Sequence, residues 1–263
     1  MTRRKLKLGV DARSLLCRHP RGEGKSLLRL YQEIRRLRPD IEIIFYGDSH
    51  ARNFSGDLPE GIRVSAQDPP GNRFSTWENL YFPVAAKLAG CNVLHCTSSG
   101  GPVWSPQAQI LTIHDLIPLC FDDGWSDELK GKFRKRLEHG LRNARAIITV
   151  SAHTKKDLLR QFPVLRKPVH VIHWGSDQTQ ADNHYSSGTE RTPYLIAFGG
   201  EAKRKNTLFA LERFFAIAPL LPDVKLQMIG INNLKQRAEI LSLCERKGMT
   251  DRVLLPGFVS EAD

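Results

Sequence analysis

No stretch of this chain approaches the roughly 18 consecutive apolar residues that a membrane-spanning helix needs. The start, MTRRKLKLGVDARSL, is basic, but Lys7 and Asp11 interrupt its apolar part, which speaks against a secretory signal with a continuous hydrophobic centre. Cysteine is scarce: five residues, an odd number without a CxxC pair, fit a reducing compartment better than a disulfide framework, and Cys91 and Cys96 read as buried thiols. Zinc-finger spacing, an RRM signature and a basic stripe interleaved with aromatics are all missing, so nucleic acid is not an expected partner. These absences predict a cytoplasmic protein that can at most lie peripherally against the inner face of a membrane.

Acidic residues are in deficit too. The 39 Lys and Arg exceed the 28 Asp and Glu by 11, which by itself favours anionic partners such as nucleotides, phosphates, nucleic acid or an acidic membrane surface without choosing among them. With 41% hydrophobic and 25% charged residues the composition is that of a globular protein, and 263 residues are enough for two domains, each with its own core.

The stretch Ile110 to Pro118, ILTIHDLIP, anchors the reading. A short β-branched apolar run that ends in His114 and Asp115 reads as a buried strand of a parallel sheet with a polar pair at its carboxyl end. In an open α/β sheet that edge is where ligands bind. His114 is therefore the first candidate functional group, the alternative being a histidine hydrogen-bonded inside its domain.

Around it, strands are expected at Leu6 to Val10, Ile41 to Tyr46, Ile62 to Val64, Asn92 to His95, Ala146 to Val150 and Val169 to His173. Helices are expected at Gly24 to Leu37, Trp77 to Leu88, Asp127 to Arg145 (core line Leu129, Phe133, Leu137, Leu141) and from Ser151, as cap, to Phe162. That alternation predicts a doubly wound parallel sheet over residues 1–177. The polar segment 178–193, QTQADNHYSSGTERTP within it, reads as a linker. The pattern then restarts in residues 194–263 with strands at Tyr194 to Phe198, Val224 to Ile229 and Arg252 to Leu255, and helices at Thr207 to Ala218 and Asn233 to Lys247.

Four features could carry chemistry. The loop Arg21-Gly22-Glu23-Gly24-Lys25 can bring backbone N–H groups to an anion at a helix start, or can be a plain surface loop. Lys203-Arg204-Lys205, after Gly199-Gly200, places cations at the next helix start, where a diphosphate would relieve their conflict with the helix dipole; a solvated basic turn is the alternative. His170 and His173, three apart in a strand, fall on opposite faces and cannot share a metal. Asp122-Asp123 reads as a polar turn that caps the next helix more readily than as a cation site. The helix Asp127 to Arg145 carries seven basic and three acidic side chains, which makes it either a solvated face or a surface for anionic lipid.

Taken in order, DAR with the following glycine loop, WENLYFP, VLHCTSSGGP, ILTIHDLIP, ITVSAHTKKDL, VIHWGSD and FGGEAKRKNTLFALERF resemble the retaining GT-B glycosyltransferases of family 4, most of all their mannosyltransferase-like members. The resemblance implies two facing Rossmann-like domains, an acceptor side in the first and a nucleotide-sugar site in the second. It implies that His114 reaches a hydroxyl of the donor sugar, that Lys205 and Arg204 hold the donor diphosphate, and that Gly22 and Gly24 form the loop near phosphates and acceptor. Gly175 and Asp177 match a structural turn that closes the first domain. The implied reaction moves a hexose, mannose favoured, from GDP-mannose or a UDP-sugar to a glycan or lipid-linked acceptor with retention and without metal or organic cofactor. The family's glutamate-bearing donor loop would follow residue 263, so a second domain that is incomplete and a transfer activity impaired by truncation are expected. A non-catalytic nucleotide-sugar or acceptor-binding remnant is the alternative.

Overall fold

A computed structural model of the chain describes residues 5–68, 74–175, 193–257 and 259. The chain divides into two units, Met1–Cys120 with Ser126–Gln178 and Phe121–Trp125 with Thr179–Asp263. Asp177 and residues 178–192 of the expected linker lie outside the described residues.

Among the described residues the first unit is built on seven parallel strands, β1 (Lys7–Asp11), β2 (Glu42–Gly47), β3 (Ile62–Ala66), β4 (Val93–Cys96), β5 (Ala108–Ile113), β6 (Ala144–Thr149) and β7 (Val169–Val171). They lie in the order β3-β2-β1-β4-β5-β6-β7. The order reverses between β1 and β4, which places the ligand crevice of such a sheet at the carboxyl ends of those two strands, one strand away from β5.

Period-two alternation explains why this sheet is buried on both faces. In β2, Ile43 and Phe45 pack with Leu27 and Tyr31 of α1 (Gly22–Leu37), whereas Ile44 and Tyr46 point to the opposite core. That second core is closed by Trp77, by Phe82 and Ala86 of a helical run, and by Leu137 and Leu141 of α5 (Asp127–Asn143). The helical run consists of α2 (Phe74–Thr76), a π turn (Trp77–Tyr81) and α3 (Phe82–Leu88). The widened turn falls where Pro83 has no N–H to offer the carbonyl four residues back. After β5 comes the short α4 (Ile117–Cys120), and α6 (Ala152–Gln161) follows β6, with the Ser151 side chain accepting from Thr154 N–H at 3.0 Å as its cap.

Three expectations change on contact with the structure. Helix α1 begins at Gly22, so Gly22 and Gly24 belong to its first turn and not to a loop. Leu129, on the expected core line of α5, is largely exposed, because that line reaches the sheet only from Phe133 onward. Asp123 does not cap α5: Ser126 does, accepting from Leu129 N–H at 3.3 Å.

The second unit holds β8 (Tyr194–Phe198), β9 (Lys225–Ile229) and β10 (Val253–Gly257), parallel and in the order β10-β9-β8. Helices α7 (Thr207–Ile217) and α8 (Leu234–Arg246) bury Leu211, Phe214, Ile240 and Cys244 against Leu226 and Met228. All five cysteines are free, and Cys91 and Cys96 are buried.

One polar chain crosses the α1 side of the first core. Tyr31 Oη lies 2.8 Å from His95 Nδ1, and His95 Nε2 lies 2.7 Å from Thr112 Oγ1, tying α1 to β4 and β5. A neutral imidazole satisfies both contacts, donating at one nitrogen and accepting at the other. Burial pushes the His95 pKa down to about 4, with the Asp11 charge opposing. A histidine depressed in the folded state contributes stability that is complete above its ordinary pKa and is lost as pH falls through the folded value. On the order of 3 kcal/mol of stability should therefore disappear between pH 6.5 and 4. Thermal unfolding across that range checks this, and His95→Gln should flatten the slope.

Candidate functional site

Four buried or half-buried charged side chains gather at the carboxyl end of β1. Asp11, the last residue of that strand, accepts two hydrogen bonds from the Arg13 guanidinium, at 2.9 and 2.6 Å. The Arg13 guanidinium stacks over the Trp77 ring at 3.8 Å and lies 3.8 Å from Glu78, which in turn forms a forked pair with Arg136 of α5 at 3.0 and 2.6 Å. Arg136 also donates to the Ser98 carbonyl at 2.6 Å. These charges are tolerable in a dry environment because each has a partner; a lone one would cost several kcal/mol.

The cluster fixes the segment 97–101, which follows β4. Thr97 Oγ1 donates to the Asp11 carbonyl at 2.6 Å, Ser99 is held at φ 53°, and a Cβ on Gly100 would meet the Arg136 guanidinium at 2.5 Å. Thr97 in turn holds His114. The His114 Nε2–H donates to the Thr97 carbonyl at 2.7 Å and lies 3.2 Å from Glu23 Oε1, while the ring meets Trp174 edge-on with centroids 5.2 Å apart. Nδ1 of His114 has no hydrogen-bond partner among the described residues. Burial works against the imidazolium, but the Glu23 carboxylate, the Thr97 carbonyl and the Asp115 charge outweigh it, so the His114 pKa is raised.

His114 and Glu23 border a cavity of about 380 Å³ between α1 and the sheet, whose inner wall includes Tyr31, His95 and Thr112. Of the residues singled out in the sequence, the structure brings His114 and Gly22 together: a Cβ on Gly22 would sit 3.8 Å from the Trp174 ring that touches His114. Gly24 answers a different need. A Cβ there would lie 2.2 Å from the Ser14 carbonyl oxygen, so α1 can approach the 12–16 segment only with glycine at this position.

Arg204 and Lys205 belong to the second unit. They sit in a 3-10 turn, Lys203–Lys205, separated from α7 by Asn206 at φ 48°. The three cations therefore do not occupy the first turn of α7, and the expected conflict with its dipole does not arise. Thr207 takes that place, its Oγ1 donating to the Gly200 carbonyl at 2.8 Å and accepting from Gly200 N–H at 3.0 Å. Arg204 is engaged with Asp123: Nε lies 2.7 Å from one carboxylate oxygen and the backbone N–H donates to the other at 3.1 Å. Lys205 is exposed, and its stem passes Gly200 closely enough that a Cβ there would lie 3.6 Å from Lys205 Cγ.

Glu23, Thr97, Trp174 and the Asp11–Arg13–Glu78–Arg136 cluster were not singled out as site residues by the sequence reading. Glu23 was visible between the two glycines; Thr97 and Trp174 meet His114 across 17 and 60 positions, and the cluster reaches it through Thr97, which is 86 positions from Asp11, separations that no local pattern displays.

The sequence matches the family model described as Glycosyltransferase Family 4 over residues 20–180. Compared with curated proteins, it matches none significantly. Its fold is similar to that of a glycosyltransferase from Rickettsia africae, with TM-score 0.61, 13% identity, and coverage of 98% of this chain and 70% of that one. It is also similar to Anabaena Alr3699/HepE, solved in complex with UDP, with TM-score 0.59, 16% identity, and coverage of 97% of this chain and 70% of that one. A third neighbour is the apo form of the lipopolysaccharide outer core galactosyltransferase WaaB, with TM-score 0.58, 11% identity, and coverage of 98% and 69%.

The raised His114 pKa is stability-linked: the imidazolium's contribution is full below the ordinary histidine pKa and is lost as pH rises through the folded value. Glu23→Gln should lower the His114 pKa, read from the imidazole protons by NMR titration. Gly24→Ala should cost at least about 2 kcal/mol, measured by denaturant unfolding, since the neighbour is backbone and cannot turn aside.

Proposed function

The chain belongs to glycosyltransferase family 4, and from that premise we propose that it transfers a hexosyl group from a nucleoside-diphosphate sugar to a glycan or lipid-linked acceptor with retention of configuration. The observation that carries the proposal is the state of His114. Its Nε2 is occupied by Thr97 and Glu23 and its Nδ1 has no partner among the described residues, so one ring atom remains to bind a sugar hydroxyl while the other holds the ring still. That division of labour suits a group that must orient a substrate and not merely fill a core.

In this reading the acceptor hydroxyl attacks the anomeric carbon from the face that the diphosphate leaves. Negative charge grows on the departing phosphate oxygen, and a fixed cation lowers that barrier. Lys205 supplies the ammonium, exposed beside Gly200. Arg204 contributes through the guanidinium nitrogens not facing Asp123, with its net charge largely offset there. The proposed reaction uses no metal or organic cofactor.

The Anabaena neighbour was solved with UDP, which supports a uridine nucleotide as the base to test beside guanine. Mannose is the sugar favoured by the sequence resemblance, through GDP-mannose.

Calorimetric titration of the chain with UDP and with GDP, followed by transfer assays with UDP-hexoses and GDP-mannose on lipid-linked and free glycan acceptors, tests the proposal. One nucleotide should bind, and Lys205→Ala should weaken it on the order of tenfold. Binding without any transfer would establish the alternative, a non-catalytic nucleotide-sugar-binding protein. Absence of binding to both nucleotides would overturn both readings.

A further inference from the structure

The turn that carries Arg204 and Lys205 has few backbone donors to spare. Gly200 N–H donates to the Thr207 hydroxyl at 3.0 Å and Arg204 N–H to Asp123 Oδ1 at 3.1 Å. Lys205 N–H donates to the Ala202 carbonyl at 2.9 Å and Asn206 N–H to the Lys203 carbonyl at 3.0 Å. A glycine turn between strand and helix ordinarily meets a phosphate through such N–H groups. With these four engaged inside the turn, an anion here leans mainly on the cationic side chains and on where they point.

Lys205 is exposed, whereas Arg204 is held. Asp123 grips it twice, with Oδ1 on the backbone N–H and Oδ2 2.7 Å from Nε. Contacts to the main chain and to the guanidinium of one residue close a ring and restrict the torsions between them. The Asp123 side chain is 4% exposed and that of Arg204 32%, so the pair is shut on its carboxylate side and open on its guanidinium side. The Nε contact is an ion pair without a hydrogen bond's alignment: Asp123 Oδ2 accepts no hydrogen bond among the described residues, which leaves Arg204 as the cation that this buried carboxylate depends on. Arg204 makes no further hydrogen bond or ion pair among those residues, and its Nη1–Nη2 edge keeps its donors for a ligand.

We propose that Asp123 is a positioning residue, locking Arg204 so that the Nη1–Nη2 edge meets the diphosphate of a nucleotide sugar as a preformed fork. The proposal rests on the reading above that Arg204 faces that diphosphate. An arginine that must be ordered on its ligand loses rotamer freedom in binding, and one already locked has lost it in folding. That gain opposes a loss, because the Asp123 charge offsets part of the guanidinium's attraction for phosphate. Lys205 makes up the difference. Arg204 supplies direction and Lys205 net charge, a division that follows from setting a planar fork beside a point charge on a flexible stem.

UDP and GDP are titrated calorimetrically into the 263-residue chain and into Asp123→Asn, Arg204→Lys, Arg204→Ala and the combined Asp123→Asn with Arg204→Ala. Asp123→Asn should weaken the diphosphate that binds by on the order of tenfold. Arg204→Lys, which keeps the charge and lacks the fork, should lose as much as Arg204→Ala. Adding Asp123→Asn to Arg204→Ala should change nothing more, because Asp123 acts through Arg204. A carboxylate that merely anchors the segment 121–125 would lower thermal stability without producing that non-additivity. An Asp123→Asn loss of equal size with and without Arg204 therefore overturns the proposal, as does unchanged or tighter binding by Asp123→Asn. Where Asp123→Asn does not fold, Arg204→Lys decides: the Arg204→Ala loss supports the proposal, and affinity like that of the unsubstituted chain overturns it. An unsubstituted chain that binds neither diphosphate overturns the reading of Arg204 and the proposal together. One that binds, with Asp123→Asn without effect, overturns the positioning alone and leaves the donor reading standing.

Discussion

Charge that cannot be left alone in a dry place organises the first unit. Asp11, Arg13, Glu78 and Arg136 come from β1, the segment after it, the π turn and α5, and none of them could be buried without the others. Their pairing brings three separate pieces of chain to one point at the carboxyl edge. The segment that leaves β4 is then fixed from two directions, by Arg136 on Ser98 and by Asp11 on Thr97. Thr97 passes the constraint to His114, and His114 to Glu23 at the start of α1. A histidine at the end of a strand thus becomes a group of defined tautomer preference and orientation.

Apolar burial supplies the stage for this. Strands whose alternate residues enter two different cores cannot slip by one position without exchanging every side chain, so apolar burial alone specifies the register of β1 against β2 and β4. The reversal of strand order then opens the edge between β1 and β4, where Asp11 and Thr97 meet. Close approaches that admit only glycine complete it: Gly24 against the Ser14 carbonyl brings α1 down, and Gly100 and Gly101 let the 97–101 segment lie on Arg136 and Cys96.

In the second unit the same strand-to-helix junction is made differently. Thr207 closes the Gly200 turn with its hydroxyl, and Asn206 in the left-handed region separates the basic turn from the helix. The cations are consequently presented by a 3-10 turn, with Arg204 tied to Asp123 and Lys205 exposed. Asp123, from the segment 121–125, belongs to this unit although its neighbours in sequence fold with the first.

The sequence by itself determined the alternation of strands and helices, the parallel sheet and the prominence of His114, because each depends on local periodicity: β-branched runs, helical spacing, and a polar pair at the end of an apolar strand. It also placed Gly22 and Lys205 at strand-to-helix junctions, since those junctions are contiguous in the chain. The tertiary structure alone decided that Glu23 and Thr97 hold the histidine, that Arg13 and Arg136 share Glu78, and that Asp123 answers Arg204 rather than capping α5. Those pairings join residues separated by up to 91 positions, counting from His114 back to Glu23, and their energy exists only once burial has removed water from both partners. Periodicity can announce that a strand is buried; which charge it will face depends on the three-dimensional fold.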